Sequence, residues 1–241
     1  MSNAEQPFYR RPLWIVVAIF LAVVLVGGGI AAVTGAFGGG DKTTAEPTRA
    51  PSKTSGVPDG AASVCGLKGY ETTSSLTSAP AADWKLVGTV AAPTDEKGAG
   101  PGVQDDGGQF RTCFAHTAEG ALFAAVNFYA VGSNTENAPR LYELLADGKI
   151  KDQVKAAGSS PVSDDSSRIQ IAGFKVNDYS SSTATIDLAI KATSENDTLI
   201  SQPMVLKWED GDWKIVFTET GFQYKPSALS SLGGYTPFSG V

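Results

Sequence analysis

The sequence predicts an α+β fold: helices packed on a curved, cone-like antiparallel sheet, preceded by a single transmembrane helix and a flexible stalk. Three observations predict it. Within 241 residues, an uncharged stretch over 13–37 follows Arg10 and Arg11. A helix-like run over 118–131 is apolar nearly all round. Segments of alternating apolar and polar residues then follow, the last two joined by Asp210-Gly211.

About 25 uncharged residues suffice to span the hydrocarbon core of a bilayer. Arginines on the short N-terminal side place that side in the cytoplasm. The expected organisation is a cytoplasmic tail over 1–12, a transmembrane helix over 13–37, a flexible linker over 38–63, an extracytoplasmic domain over 64–225 and a C-terminal tail over 226–241. The strictly apolar part, 13–26, also has the length of a signal-peptide core, and Thr34-Gly35-Ala36 suits cleavage, so a removed signal is the competing reading. Gly27/Ala31 and Gly28/Ala32 suit a helix–helix face, although glycine is common in membrane helices in general. The linker is rich in Gly, Thr, Ser, Pro and Lys and has no apolar period, as a flexible stalk would.

Order is expected to begin at Val64-Cys65-Gly66-Leu67. Residues 83–90 read as a strand, 99–108 as a loop and 109–115 as a second strand carrying Cys113. Thr117 is placed to cap the central helix, with Glu119 in its first turn, where a negative charge meets the positive helix end. A helix with no polar face belongs in the core. A second helix is expected over 138–146, with Leu141, Leu144 and Leu145 on one face and Gly148 as its C-terminal stop. A third is expected over 150–157, stopped by Gly158. Strand patterns follow: Ile169 and Ile171, a slip of phase at Ala172-Gly173 that marks a bulge, then Phe174 and Val176. Ile186, Leu188 and Ile190 share one face of the next strand and Asp187 and Lys191 the other. Met204, Leu206 and Trp208 alternate, as do Trp213, Ile215 and Phe217. A two-residue Asp-Gly connection between alternating strands is a hairpin signal, and it pairs Trp208 with Trp213.

The chain carries 19 basic and 25 acidic residues, net −6; setting aside Arg10, Arg11 and Glu5 leaves about −7 outside the membrane. An acidic domain lacks the basic stripe that nucleic-acid binding needs. The two cysteines, Cys65 and Cys113, both fall in the exterior part. An even count in an oxidising compartment reads as one disulfide, closing a loop of about 50 residues and stabilising by roughly 3–4 kcal/mol. Two buried thiols or a metal pair are the alternatives, and two Cys with one His fall short of a zinc site.

Helices followed by an antiparallel meander that ends in the Trp208-Glu209-Asp210-Gly211-Asp212-Trp213 hairpin resemble the nuclear-transport-factor-2-like (cystatin-like) fold. A short tail, one membrane helix, a stalk and such a domain outside resemble the bitopic assembly subunits of conjugative type IV secretion machines. The stretches Val64-Cys65-Gly66-Leu67, Trp84-Lys85-Leu86-Val87-Gly88, the run from Cys113 to Ala125 and the terminal Leu232 to Gly240 are similar to membrane proteins of actinobacterial mobile elements. The fold resemblance covers roughly residues 82–219 and brings no catalytic motif that transfers residue by residue.

Candidate chemistry is sparse. His116 is the sole histidine. With Thr117 and Glu119 near it in sequence, a general base is one role for it, and a structural residue at the start of the helix is the other. Asp105-Asp106 and Asp164-Asp165 are adjacent loop carboxylates that lack the alternating pattern and distal Glu of a calcium loop. Gly98-Ala99-Gly100-Pro101-Gly102 lacks the Gly-Lys-Ser/Thr ending of a phosphate cradle. Asn196-Asp197-Thr198 fits a glycosylation sequon. Phe123, Phe128, Tyr129, Trp208, Trp213 and Phe217 are candidates to line a cleft or to form a plain core. Tyr235 and Phe238 are candidates for docking, either onto the domain itself or onto a partner. No cofactor and no metal site is expected.

The resulting expectation is a non-enzymatic, single-pass assembly or scaffolding subunit of a conjugation or type IV secretion-like apparatus. It would be anchored in the cell membrane with its C-terminal domain outside, bound to other protein subunits and self-associating. The alternative is a ligand-binding or sensory domain that uses the cone cleft. A cell-envelope or transport-associated protein of the same architecture is the third possibility.

Overall fold

The computed structural model describes residues 62–74, 76–158, 168–193 and 196–240. The expected membrane segment, nearly all of the linker and the Asp164-Asp165 pair lie outside the described residues. Among the described residues, no helix is long and apolar enough to cross a membrane.

The chain folds as an α+β domain whose sheets are mainly antiparallel. Strand β1 (Asp83–Val87) turns back at once into β2 (Val90–Thr94). The single strand expected over 83–90 is therefore a hairpin. Its turn needs Gly88, which sits at φ +56°, with a would-be Cβ 2.8 Å from the Asn134 nitrogen. Strands β3 (Val103–Asp105) and β4 (Phe110–Thr112) form a second hairpin around a 3₁₀ turn, Asp106–Gly108, so part of the expected loop over 99–108 is strand. The strand expected over 109–115 is only three residues long, because Cys113, at φ +65°, bends the chain toward the helix.

Helix α1 (Ala118–Gly132) begins as the sequence indicates. The Thr117 hydroxyl accepts the Gly120 N–H at 3.0 Å, and between Ala118 and Val131 only Glu119 escapes burial. The helix expected over 138–146 is instead a 3₁₀ stretch, Thr135–Leu144, with Pro139 inside it. Proline has no N–H to donate and clashes with the carbonyl of the preceding turn, so an α-helix is not sustained there. Leu144 and Leu145 are buried nonetheless. Gly148 stands at the N-terminus of α2 (Lys149–Ala157) rather than ending a helix before it, and no α2 residue is fully buried.

Strands β5 (Ile169–Tyr179), β6 (Thr183–Ala192), β7 (Thr198–Glu209) and β8 (Asp212–Ile215) form an antiparallel meander beneath α1. The bulge expected at Ala172-Gly173 is present, and a second register shift falls between Val176 and Asp178. Trp208 pairs with Trp213 across the β7–β8 turn, where Asp210 and Gly211 both take positive φ, as a mirror-image hairpin turn requires. A small hairpin of β9 (Phe217–Thr218) and β10 (Gly221–Phe222) follows.

The last residues are not a separate tail. Strand β11 (Ser227–Leu229) pairs with one edge of the meander at β7, and β12 (Thr236–Pro237) pairs with the opposite edge at β5. The main sheet runs β11–β7–β6–β5–β12. The chain between these two strands crosses the sheet on the face opposite α1, and the C-terminal segment acts as a strap.

Candidate functional site

The six aromatic residues proposed for a cleft separate into three packed groups. Phe128, Tyr129 and Phe217 gather with Phe222 near the C-terminal end of α1, ring centroids 5.8–6.2 Å apart for the Phe128 contacts. Phe123 meets Phe238 at 6.2 Å, and Phe238 in turn packs on Phe174 and Trp84. Trp208 and Trp213 pack edge to face at 5.3 Å near the start of α1. Phe123, Phe128, Tyr129 and Trp213 are buried, and Trp208 and Phe217 are half-buried against the same core. Their positions are those of a filled interior rather than the wall of one cavity. Burial raises the Tyr129 hydroxyl pKa far above its ordinary value.

The densest polar chemistry lies where α1 begins. His116 is 2 % exposed, stacks face to face on Trp208 at 3.8 Å, and meets Tyr70 and Trp213 edge-on. Its Nε2 bonds the Ser181 carbonyl in the β5–β6 turn, and a carbonyl only accepts, so Nε2 carries the proton. The Glu71 carboxylate accepts the Ala118 N–H at 2.9 Å, one of the donors a helix start leaves unpaired. The His116 carbonyl accepts the Glu71 N–H at 3.0 Å, and Trp213 Nε1 donates to the Ala115 carbonyl at 3.0 Å. His116, Thr117 and Glu71 thus each hold a structural bond, and their geometry fixes the start of the helix. Burial raises the Glu119 carboxyl pKa, and the Asp95 and Glu71 carboxylates add to the shift.

The disulfide Cys65–Cys113 lies beside this cluster. Cys113 is completely buried, while Cys65 is exposed. The Cys113 Sγ accepts from the Ser63 hydroxyl at 2.8 Å and from the Cys65 N–H at 3.1 Å. The buried Asp212 carboxylate accepts the N–H groups of Cys113, Phe114 and Trp213, and Lys214 Nζ stands 3.1 Å from it. At the same end, the Val64 N–H donates to the Gly211 carbonyl at 2.9 Å, so the chain reaches the domain at the β7–β8 turn.

The strap covers a second buried carboxylate, Asp187 on β6. Tyr235 donates its hydroxyl to Asp187 at 2.8 Å, the Ser201 hydroxyl donates to the other Asp187 oxygen at 2.8 Å, and Lys175 Nζ lies 3.5 Å away and over the Tyr235 ring. Tyr235 is 9 % and Phe238 5 % exposed. Of the two docking alternatives for these residues, the domain's own surface is the one seen. Burial pushes the Tyr235 hydroxyl up to about 12, and the Asp187 charge adds to the shift.

A groove of about 350 Å³ opens between residues 145–151 and 216–219, with Leu145, Ile150 and Phe217 among its walls. Ion pairs Lys149–Glu219 and Lys151–Asp147 cross its mouth. Asp105 and Asp106 both pair with Arg140, whose guanidinium lies 3.9 Å from the Phe110 ring centre. Among the described residues, no cluster of His, Cys, Asp or Glu is arranged to hold a metal ion.

Sequence reasoning missed Asp187, Asp212, Ser63 and Glu71. The signal for Asp212 was the Asp-Gly hairpin itself, which carries a carboxylate just past the turn. Asp187 read as the solvent-facing partner of an alternating strand, and nothing in its own segment announces the strap above it.

A family described as a domain of unknown function (DUF8175) matches residues 44–237. Neither the curated proteins nor the solved structures contain a match to the chain.

Proposed function

The chain belongs to the DUF8175 family, and we propose that it is a membrane-tethered, extracytoplasmic assembly subunit, non-enzymatic, of a conjugation or type IV secretion-like apparatus. The observation that carries this reading is the filled interior. Phe123, Phe128, Tyr129 and Trp213 pack into the core, which leaves the outer surface of the domain for recognition. The uncharged stretch over 13–37 supports the tether, and the disulfide supports an oxidising compartment. The helix-on-sheet order supports the comparison with the cone-like, nuclear-transport-factor-2-like fold, which hosts many binding modules.

Partners would meet the domain on surfaces that the strap leaves open, such as the exposed hairpin side chain Leu86 and the groove flanking α2. Deletion of the gene tests the reading. Plasmid transfer is expected to fall and to return when the full chain is restored. Unchanged transfer removes the conjugation assignment.

A further inference from the structure

We propose that Cys65–Cys113 is a thiol–disulfide exchange site, with Cys65 as the sulfur attacked and Cys113 as the sulfur that leaves. The two sulfurs stand in opposite surroundings. Cys65 is an exposed residue, so a reductant approaches from its side, whereas Cys113 is completely buried. The buried sulfur has two donors aimed at it, the Ser63 hydroxyl at 2.8 Å and the Cys65 N–H at 3.1 Å. Hydrogen bonds to a forming thiolate stabilise it and make it the better leaving group. Ser63 Oγ stands 3.6 Å from Cys65 Sγ, so the same hydroxyl favours Cys113. The nearest carboxylate named at this site, Asp212, binds the Cys113 N–H and is offset by Lys214 at 3.1 Å.

The reductant is an extracytoplasmic dithiol, a protein or small molecule with two neighbouring thiols. Its thiolate bonds to Cys65 Sγ, the Cys65–Cys113 bond breaks, and the electron pair departs on Cys113 as a thiolate. The second thiol of the reductant then attacks the mixed disulfide and releases Cys65. The cysteine pair gains two electrons and two protons, and the dithiol becomes a disulfide.

The consequence falls on the junction between domain and tether. The described residues between 62 and 82 contain no helix and only an isolated bridge at Tyr70, yet they cover His116 and the start of α1. The disulfide is their covalent hold. Once it opens, that segment rests on hydrogen bonds such as Val64 to Gly211 and Glu71 to His116. Exchange therefore converts a stapled junction into a releasable one.

The test treats the oxidised full chain, in mild detergent, with reduced glutathione. Acid quenching and peptide mass spectrometry then locate the adduct. Glutathione on Cys65, with Cys113 free to be alkylated, is the expected result. Glutathione on Cys113 or equally on both, or reduction only after denaturant unfolds the domain, makes the bond a structural crosslink and overturns the proposal. In Ser63→Ala, reduction by dithiothreitol is expected to slow roughly tenfold through loss of one hydrogen bond to the leaving thiolate. An unchanged rate in a variant that melts like the parent contradicts the leaving-group assignment. The adduct position in the unaltered chain remains decisive if that variant does not fold.

Discussion

The Asp212 carboxylate accepts the backbone N–H of Cys113 at 3.0 Å across 99 positions of sequence. That bond, repeated one residue later at Phe114, ties the β7–β8 hairpin to the turn from which α1 springs. In Asp212→Ala the Cys113 and Phe114 donors lose their partner inside the protein, at about 1–3 kcal/mol for each unsatisfied group. A loss of about 3 kcal/mol or more is expected from the urea midpoint. A loss below about 0.5 kcal/mol, the range of ordinary surface substitutions, would show that the hairpin does not hold the turn.

The strap is expected to be pH-sensitive on the alkaline side. The Tyr235 hydroxyl is raised from its ordinary value to about 12, so its contribution is fully present below the unfolded value near 10 and is lost as pH rises through about 12. Tyr235→Phe deletes the bond to Asp187 and is expected to cost about 1.5–3 kcal/mol, the usual range for a hydrogen bond to a charged group. It should also remove the strap's share of the alkaline loss, leaving that of the buried Tyr129 and Tyr179. Hydrogen exchange at the Phe238 amide, which bonds the Ala172 carbonyl, reports strap release directly. Equal exchange in parent and variant contradicts the latch.

Glu119 is a carboxyl whose folded pKa is raised, chiefly by burial and then by Asp95 and Glu71. A raised carboxyl pKa favours the folded state at low pH and weakens it as pH climbs through the folded value. Glu119→Gln is therefore expected to raise the melting temperature at neutral pH and to give no gain at a pH below the ordinary Glu value of about 4.3. A melting temperature that falls at neutral pH would mean that the attraction of the helix start for Glu119 outweighs its burial.

Gly211 fills two requirements at once. It sits at φ +76°, and a Cβ there would stand 2.8 Å from the Val64 nitrogen. Gly211→Ala is expected to cost about 1–2 kcal/mol for the left-handed backbone alone. It should also loosen residues 62–64, seen as faster proteolysis in that stretch. Stability without change would contradict the close packing of the junction on the turn.

Features with a strong local cause were legible in the sequence. Thr117 caps α1 by its own hydroxyl, the phase slip at Ala172-Gly173 is a bulge, and Asp210-Gly211 is a hairpin turn. The disulfide, one of three alternatives for the two cysteines, is formed. What escaped depends on distant partners or on elements too short to carry a period. The turn at Gly88-Thr89 interrupts an apolar run without a pair of standard turn residues, and its donors find Gln109 and Ser133 far along the chain. The helical stretch begins already at Thr135, which puts Pro139 in its interior rather than in the first turn that a helix over 138–146 would give it. Strands β11 and β12 have three and two residues, too few for alternation to show. Asp187 and Asp212 are buried carboxylates, and charged residues are so rarely buried that neither stood out as a candidate.

The most direct test of an assembly role is crosslinking of the full chain in intact cells, followed by mild-detergent extraction and mass spectrometry of the linked peptides. An assembly subunit is expected to link, through described surface residues such as Lys85 or Lys149, to multi-span channel proteins and secretion-type ATPase subunits of one apparatus. Recovery of the chain alone, or only with a bound small molecule, would contradict that role.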